Sequence, residues 1–213
     1  MATTDKLVEG FQRFKKQYFG DDRRLYASMK TGQPAKTLMV ACCDSRVDPA
    51  ILTDCDPGDL FTVRNVANLI PPCESGGQYH GTSSALEFAV KGLEVENIIV
   101  MGHANCGGIK ALWERDGSAT TQYIENWVSI AKSAKEWVKV NQQGRSDAEQ
   151  LKSCEQRAVL VSLNNLMTFP WINERVEQGK LSLHGWYFDL AAGELLAFDP
   201  ETDGFHVVSG ESL

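Results

Sequence analysis

The 213-residue sequence is 43% hydrophobic and 23% charged, the balance of a globular protein large enough to bury a continuous core. Its formal net charge of -7 argues against a nucleic-acid partner, which asks for a basic face. No uninterrupted apolar run approaches the roughly 20 residues that cross a bilayer, so no membrane partner is expected.

In chain order, Met1 to Lys6 lacks the apolar stretch of a secretory signal, which points to a cytoplasmic protein. Residues 5–19 then carry Leu7, Val8, Phe11, Phe14 and Tyr18 at helical spacing, an amphipathic helix that covers either the chain's own core or a partner subunit. Thr37 to Ala41, bounded by Gly32, Pro34 and Lys36, is short and apolar enough for a buried strand. Asp48-Pro49 to Asp54 reads as a short helix, Pro57-Gly58-Asp59 as a turn and Leu60 to Arg64 as a second strand. Asn65 to Pro72 is a loop closed by a Pro-Pro pair. Ala85, Leu86, Ala89, Val90 and Leu93 mark a helix that leads into a third strand, Glu96 to Met101.

Gly107-Gly108 opens a helix to about Glu114, broken by Asp116-Gly117. Ile124, Trp127, Val128, Ala131, Ala134 and Val138 predict one long helix ended by residues 141–144, and Leu151, Cys154, Ala158, Ser162 and Leu166 another, stopped by Pro170. Leu181 to Phe188 alternates as a half-buried strand, and Glu194 to Phe198 and Phe205 to Val208 flank a hairpin signal at residues 199–204. His184 stands alone beside Gly185 and reads as structural. Strands alternating with helices predict an α/β fold: a central, mostly parallel sheet flanked by helices, with an antiparallel edge strand near the C-terminus. No repeat or linker divides the chain, so residues 1–213 read as a single domain with a helical arm over residues 1–30.

The chemistry gathers where two of these strands end. The first gives way to Cys42-Cys43-Asp44-Ser45-Arg46, the third to Gly102-His103-Ala104-Asn105-Cys106-Gly107-Gly108. Ligands collect at the carboxyl ends of strands in open α/β sheets, so Cys42, His103 and Cys106 are delivered to one sheet edge. Two thiolates and an imidazole suit Zn²⁺, and three protein ligands leave the fourth position that marks a catalytic site. Cys43, next in an extended chain, points to the opposite face. Cys55, Cys73 and Cys154 read as packing residues, and all six cysteines as reduced thiols. Asp44 could close the metal site, but a bidentate pair with Arg46 would keep it ionised and turned away, ready to accept the hydrogen of zinc-bound hydroxide. Such a site suits hydration of a small electrophilic carbon.

Cys-x-Asp-Ser-Arg followed by His-x-x-Cys-Gly-Gly resembles the β-class carbonic anhydrases, and the likeness runs from about Gly32 to Gly108. It implies one Zn²⁺ per chain on Cys42, His103 and Cys106, with Asp44 on the metal only in a closed state, and a catalytic pair of Asp44 and Arg46. It also implies a CO₂/bicarbonate pocket lined by Gln33, Phe61, Val66, Phe88 and Gly107 at the interface of a homodimer or tetramer, over whose partner the N-terminal helix wraps. The family usually has Tyr where this chain has Phe88. The same site would attack CS₂ or COS, and a non-catalytic zinc or redox protein using Cys42 and Cys43 would leave the Asp44–Arg46 pair without work. Some members of the family bind regulatory bicarbonate through a Trp, an Arg and a Tyr. Here Met39, Arg64 and Phe188 stand at those positions, and neither Met nor Phe can donate to an anion, so no cooperative bicarbonate inhibition is expected.

Overall fold

The computed structural model describes residues 3–20, 24–74, 76, 79–114 and 122–208. Among them, in chain order, are helices α1 (Thr3–Phe19) and α2 (Arg24–Ser28), strand β1 (Thr37–Cys42), α3 (Pro49–Thr53), β2 (Leu60–Asn65) and a 3₁₀ turn, Val66–Asn68. Next come α4 (Gly81–Glu87), continued by a π turn over Phe88–Gly92, β3 (Asn97–His103), α5 (Gly107–Trp113), α6 (Gln122–Val128) and α7 (Lys132–Asn141). The chain closes with α8 (Asp147–Leu166), α9 (Pro170–Glu177), β4 (Ser182–Asp189), β5 (Glu194–Asp199) and β6 (Gly204–Val207).

The strands form one sheet in the order β2-β1-β3-β4-β5-β6. β2, β1, β3 and β4 run parallel, and β5 and β6 are antiparallel to their neighbours. The mostly parallel α/β sheet expected from the sequence is therefore borne out, with two antiparallel strands at its C-terminal end. β1 and β3 are buried from their second residue onward, which is why each reads as a continuous apolar run rather than an alternation. Chain order reverses at β1, since β2 lies on one side and β3 on the other. That is a topological switch point, and it leaves a crevice beyond the carboxyl ends of β1 and β3.

Local chemistry shapes the walls of that crevice. Asp48 caps α3 by accepting the Ala50 N–H at 3.1 Å, with Pro49 in the first helical position. The turn after β2 is held by Asn65, which donates to the Leu69 carbonyl at 2.8 Å and accepts the Leu69 N–H at 2.9 Å. Ala67 in this turn is left-handed, at φ 63°. A Cβ at Gly108 would lie 2.7 Å from Val66 Cγ1 and 2.9 Å from Ala67 Cβ, so only glycine lets the first turn of α5 rest against it.

Four sequence expectations need correction. Residues 124–138 are not one helix: the Ser129 hydroxyl donates to the Asn126 carbonyl at 2.6 Å, and a 3₁₀ turn, Ser129–Ala131, separates α6 from α7. Pro170 does more than stop a helix, because it opens α9 at the position where a missing N–H costs nothing. The 65–72 loop contains regular structure, the 3₁₀ turn Val66–Asn68. Cys73 is exposed rather than packed. The expected break at Asp116-Gly117 lies outside the described residues. Among the described residues, no helix is long and apolar enough to cross a membrane.

Candidate metal centre

Cys42 is the last residue of β1 and His103 the last of β3. Asn105, left-handed at φ 55°, then turns the chain so that Cys106 becomes the N-cap of α5. Asn is among the few residues that enter this conformation readily. Cys42, His103 and Cys106 are all buried, and their ligand atoms lie within 4.8 Å of one another. The two sulfurs are 4.0 Å apart, too far for a disulfide of about 2.05 Å. The gap is close to the roughly 3.8 Å that two thiolates span on a tetrahedral zinc with bonds of about 2.3 Å.

The donor set fits a metal in a second way. His103 Nδ1 is 3.0 Å from the Ala104 carbonyl oxygen, which assigns the proton to Nδ1. Nε2 is left buried without a hydrogen-bond partner, an arrangement that native interiors avoid unless something else takes the lone pair. The sulfurs are prepared for charge as well. Backbone amides of Asp44 and Ala67 favour the Cys42 thiolate, and those of Ile109 and Gly108 favour the Cys106 thiolate. The largest cause at each sulfur is their mutual hydrogen bond, which lowers the pKa of Cys42 and, together with burial, raises that of Cys106.

Asp44 and Arg46 meet at the mouth of this group, but not by the strand alternation expected from the sequence. The chain leaves extended geometry after Cys43 and turns, with the Val47 N–H on the Asp44 carbonyl at 3.2 Å. Asp44 Oδ1 accepts from the Arg46 backbone N–H at 3.0 Å and from its Nε–H at 2.9 Å, and Oδ2 accepts from a terminal guanidinium nitrogen at 2.7 Å. These bonds hold the Asp44 carboxyl well below the usual carboxylate range.

Arg64 organises the same loop from β2. It donates to the Cys42 carbonyl at 3.0 Å, the Asp44 carbonyl at 2.7 Å and the Asp48 carboxylate at 2.7 Å. Sequence reasoning compared Arg64 with a regulatory anion ligand and missed this clamp. It also missed Glu155, a buried carboxylate on α8 whose oxygens accept the Cys106 N–H at 2.9 Å and the Tyr187 hydroxyl at 2.7 Å. The available signal was an acidic residue one turn beyond Leu151 on the apolar stripe of that helix.

Not every expected site residue comes to the metal group. Gly107 directly follows Cys106, Val66 packs on the apolar cluster that includes Cys42 and Cys106, and the Val66 carbonyl accepts the Trp127 indole N–H at 2.7 Å beside a cleft of about 340 Å³. Phe61 and Phe88 pair with ring centroids 5.7 Å apart. However, Phe61 aligns with Leu38 near the start of β1, four residues and roughly 13 Å from Cys42. Gln33 is exposed ahead of that strand. Within one chain, the structure does not bring Gln33, Phe61 and Phe88 to the metal ligands. Cys43 is exposed and outside the group. His184 bonds Asn97 Oδ1 at 3.0 Å, and burial lowers its pKa, consistent with a neutral structural imidazole.

Comparison with known proteins gives a consistent picture. The family described as "Carbonic anhydrase" matches residues 37–195. Beta carbonic anhydrase 5, chloroplastic, of Arabidopsis thaliana is 45% identical over 186 residues, covering 87% of this chain and 61% of that protein. This chain thus spans less than two thirds of that relative. Beta carbonic anhydrase 6, mitochondrial, of the same plant is 38% identical over 213 residues, covering 97% of this chain and 73% of the relative. The solved structure of the beta-carbonic anhydrase CcaA superposes with a TM-score of 0.90 at 34% identity, covering 97% of this chain and 92% of that one.

Proposed function

This chain belongs to the β-class carbonic anhydrases, and from that premise we propose that it catalyses the reversible hydration of carbon dioxide to bicarbonate and a proton, with Cys42, His103 and Cys106 as zinc ligands and Asp44 and Arg46 as the catalytic pair. The observation that carries the reading is the unpartnered Nε2 of His103 between two buried sulfurs, next to a carboxylate held by an arginine. Zinc held by these three residues would supply Lewis-acid activation of a water for attack on CO₂.

The chain's own residues supply orientation. Asp44 Oδ1 already accepts two hydrogen bonds, whereas Oδ2 accepts one. A carboxylate oxygen has two lone pairs, so Oδ2 is the atom that can take the hydrogen of the attacking water. Arg46 fixes that lone pair's direction and keeps Asp44 from protonating. Arg46 is itself anchored, with a terminal nitrogen on the Asn105 carbonyl at 3.1 Å. Arg64, through the Cys42 and Asp44 carbonyls, holds ligand and acceptor in one rigid loop. Parallel assays with CO₂ and CS₂ test the substrate: CO₂ turnover is expected to dominate, and faster CS₂ turnover would overturn the reading.

We further propose one domain over residues 1–213, acting as a homodimer or tetramer in the cytoplasm. Leu7, Val8 and Phe11 of α1 are 70%, 58% and 57% exposed, an apolar face that suits residues 1–30 for packing on a second copy. A partner would also bring Gln33, Phe61 and Phe88 to the pocket that a single chain leaves incomplete.

Regulation by bicarbonate is not expected. The Arg64 guanidinium is already engaged with two carbonyls and Asp48, and the Tyr187 hydroxyl is committed to Glu155. Inhibition of CO₂ hydration by bicarbonate should therefore follow a simple hyperbola. A sigmoidal curve would contradict this assignment of Arg64.

A further inference from the structure

Glu155 is 3% exposed, and it lies on α8, well away in sequence from the residues it serves. Its two oxygens accept the Cys106 backbone N–H at 2.9 Å and the Tyr187 hydroxyl at 2.7 Å, and the Asn105 backbone amide also faces the carboxylate. The Cys106 amide needs such an acceptor, because it precedes α5 and joins no helical ladder. The carbonyl of that same peptide group belongs to Asn105, and it accepts the Arg46 guanidinium at 3.1 Å. One peptide plane, Asn105–Cys106, is thus gripped by a carboxylate on its N–H side and by a guanidinium on its C=O side. It directly follows Asn105, whose left-handed φ of 55° most side chains avoid. Rotation of this plane would move the Cys106 sulfur and the support of Arg46 together.

We propose that Glu155, oriented by Tyr187, is a positioning residue that fixes the Asn105–Cys106 peptide and so couples the geometry of the Cys106 ligand to that of the Asp44–Arg46 pair. The proposal rests on the metal-site reading above. Groups that orient metal ligands from behind typically carry about 10–100-fold in metal affinity or activity. Glu155 touches neither substrate nor metal; it acts through Cys106.

Glu155→Gln separates this role from simple satisfaction of a buried amide. The glutamine oxygen still accepts the Cys106 N–H, so shape and that bond survive, while its NH₂ must donate to the Tyr187 oxygen and so reverses the bond that orients the side chain. Tyr187→Phe removes only the orienting hydroxyl and serves if the first variant folds poorly. Zinc affinity by chelator competition, the absorption spectrum of the cobalt-substituted protein and kcat are measured together. Each variant is expected to bind zinc about 10-fold more weakly, with an altered cobalt spectrum and a lower kcat. The double variant should fall little further, because both changes act through one contact. Wild-type affinity and an unaltered cobalt spectrum in both single variants, even with lowered thermal stability, would overturn the proposal and leave Glu155 a packing residue. Failure of the wild-type chain to bind one metal would instead overturn the metal-site reading itself.

Discussion

Cys42→Ala, His103→Ala and Cys106→Ala are each expected to lose bound zinc and CO₂ hydration together. Each change removes one of three protein ligands, and two ligands hold a cation poorly when the third contact and its charge are gone. The loss should exceed the roughly 100-fold in affinity that removal of a group behind the ligands can cost. Two of the ligands end strands and the third caps a helix, so a replacement ligand would require moving one of these elements or drawing Asp44 out of its pair with Arg46. Circular dichroism separates loss of metal from loss of fold, and elemental analysis measures the zinc retained. Full zinc occupancy in any one of the three variants would contradict the ligand assignment.

Asp44→Asn is expected to keep zinc and lose turnover by about 10²–10⁴-fold, the scale on which a positioned proton acceptor contributes. The amide can present its NH₂ where Oδ2 offers a lone pair, and Arg46 then has one acceptor instead of two. The pH dependence has a definite sign. Hydrogen bonds from Arg46 depress the Asp44 pKa in the folded state, so the stability contributed by this pair is fully present above the ordinary carboxylate range. It is lost only as pH falls through the depressed value. The neutral and alkaline limbs of the rate profile should therefore contain no titration of Asp44. Arg46→Ala should raise the Asp44 pKa toward its ordinary value and weaken the acid side. Normal turnover in Asp44→Asn would reduce Asp44 to a structural neighbour.

How much of this was legible in the sequence depends on the distance over which each feature acts. The strands ending at Cys42 and His103 announce themselves as buried, β-rich runs, because both faces of a parallel sheet are covered. The approach of Cys42, His103 and Cys106 follows from two strand ends and a three-residue spacing. The Asp44–Arg46 contact was anticipated for the wrong local reason: a turn closed by Val47, not strand alternation, brings the two side chains together. Long-range partners were out of reach. The Arg64 clamp links positions 16 to 22 residues apart, and Glu155 meets Cys106 across 49. Nothing periodic signals such contacts. Gly108 likewise shows its reason only when Val66 and the left-handed Ala67 are in place against it. At the 3₁₀ turn that divides residues 124–138 the Ser129 hydroxyl bonds the Asn126 carbonyl, a contact invisible to hydrophobic spacing.

The most direct test of the central claim is a zinc titration of the metal-free chain followed by stopped-flow CO₂ hydration at each step. Hydration should rise in proportion to added zinc and break sharply at one equivalent per chain, since only one group of three ligands is present among the described residues. A chain that takes up one zinc yet hydrates CO₂ no faster than the buffer would contradict the assignment of Cys42, His103, Cys106 and Asp44 to a carbonic anhydrase site.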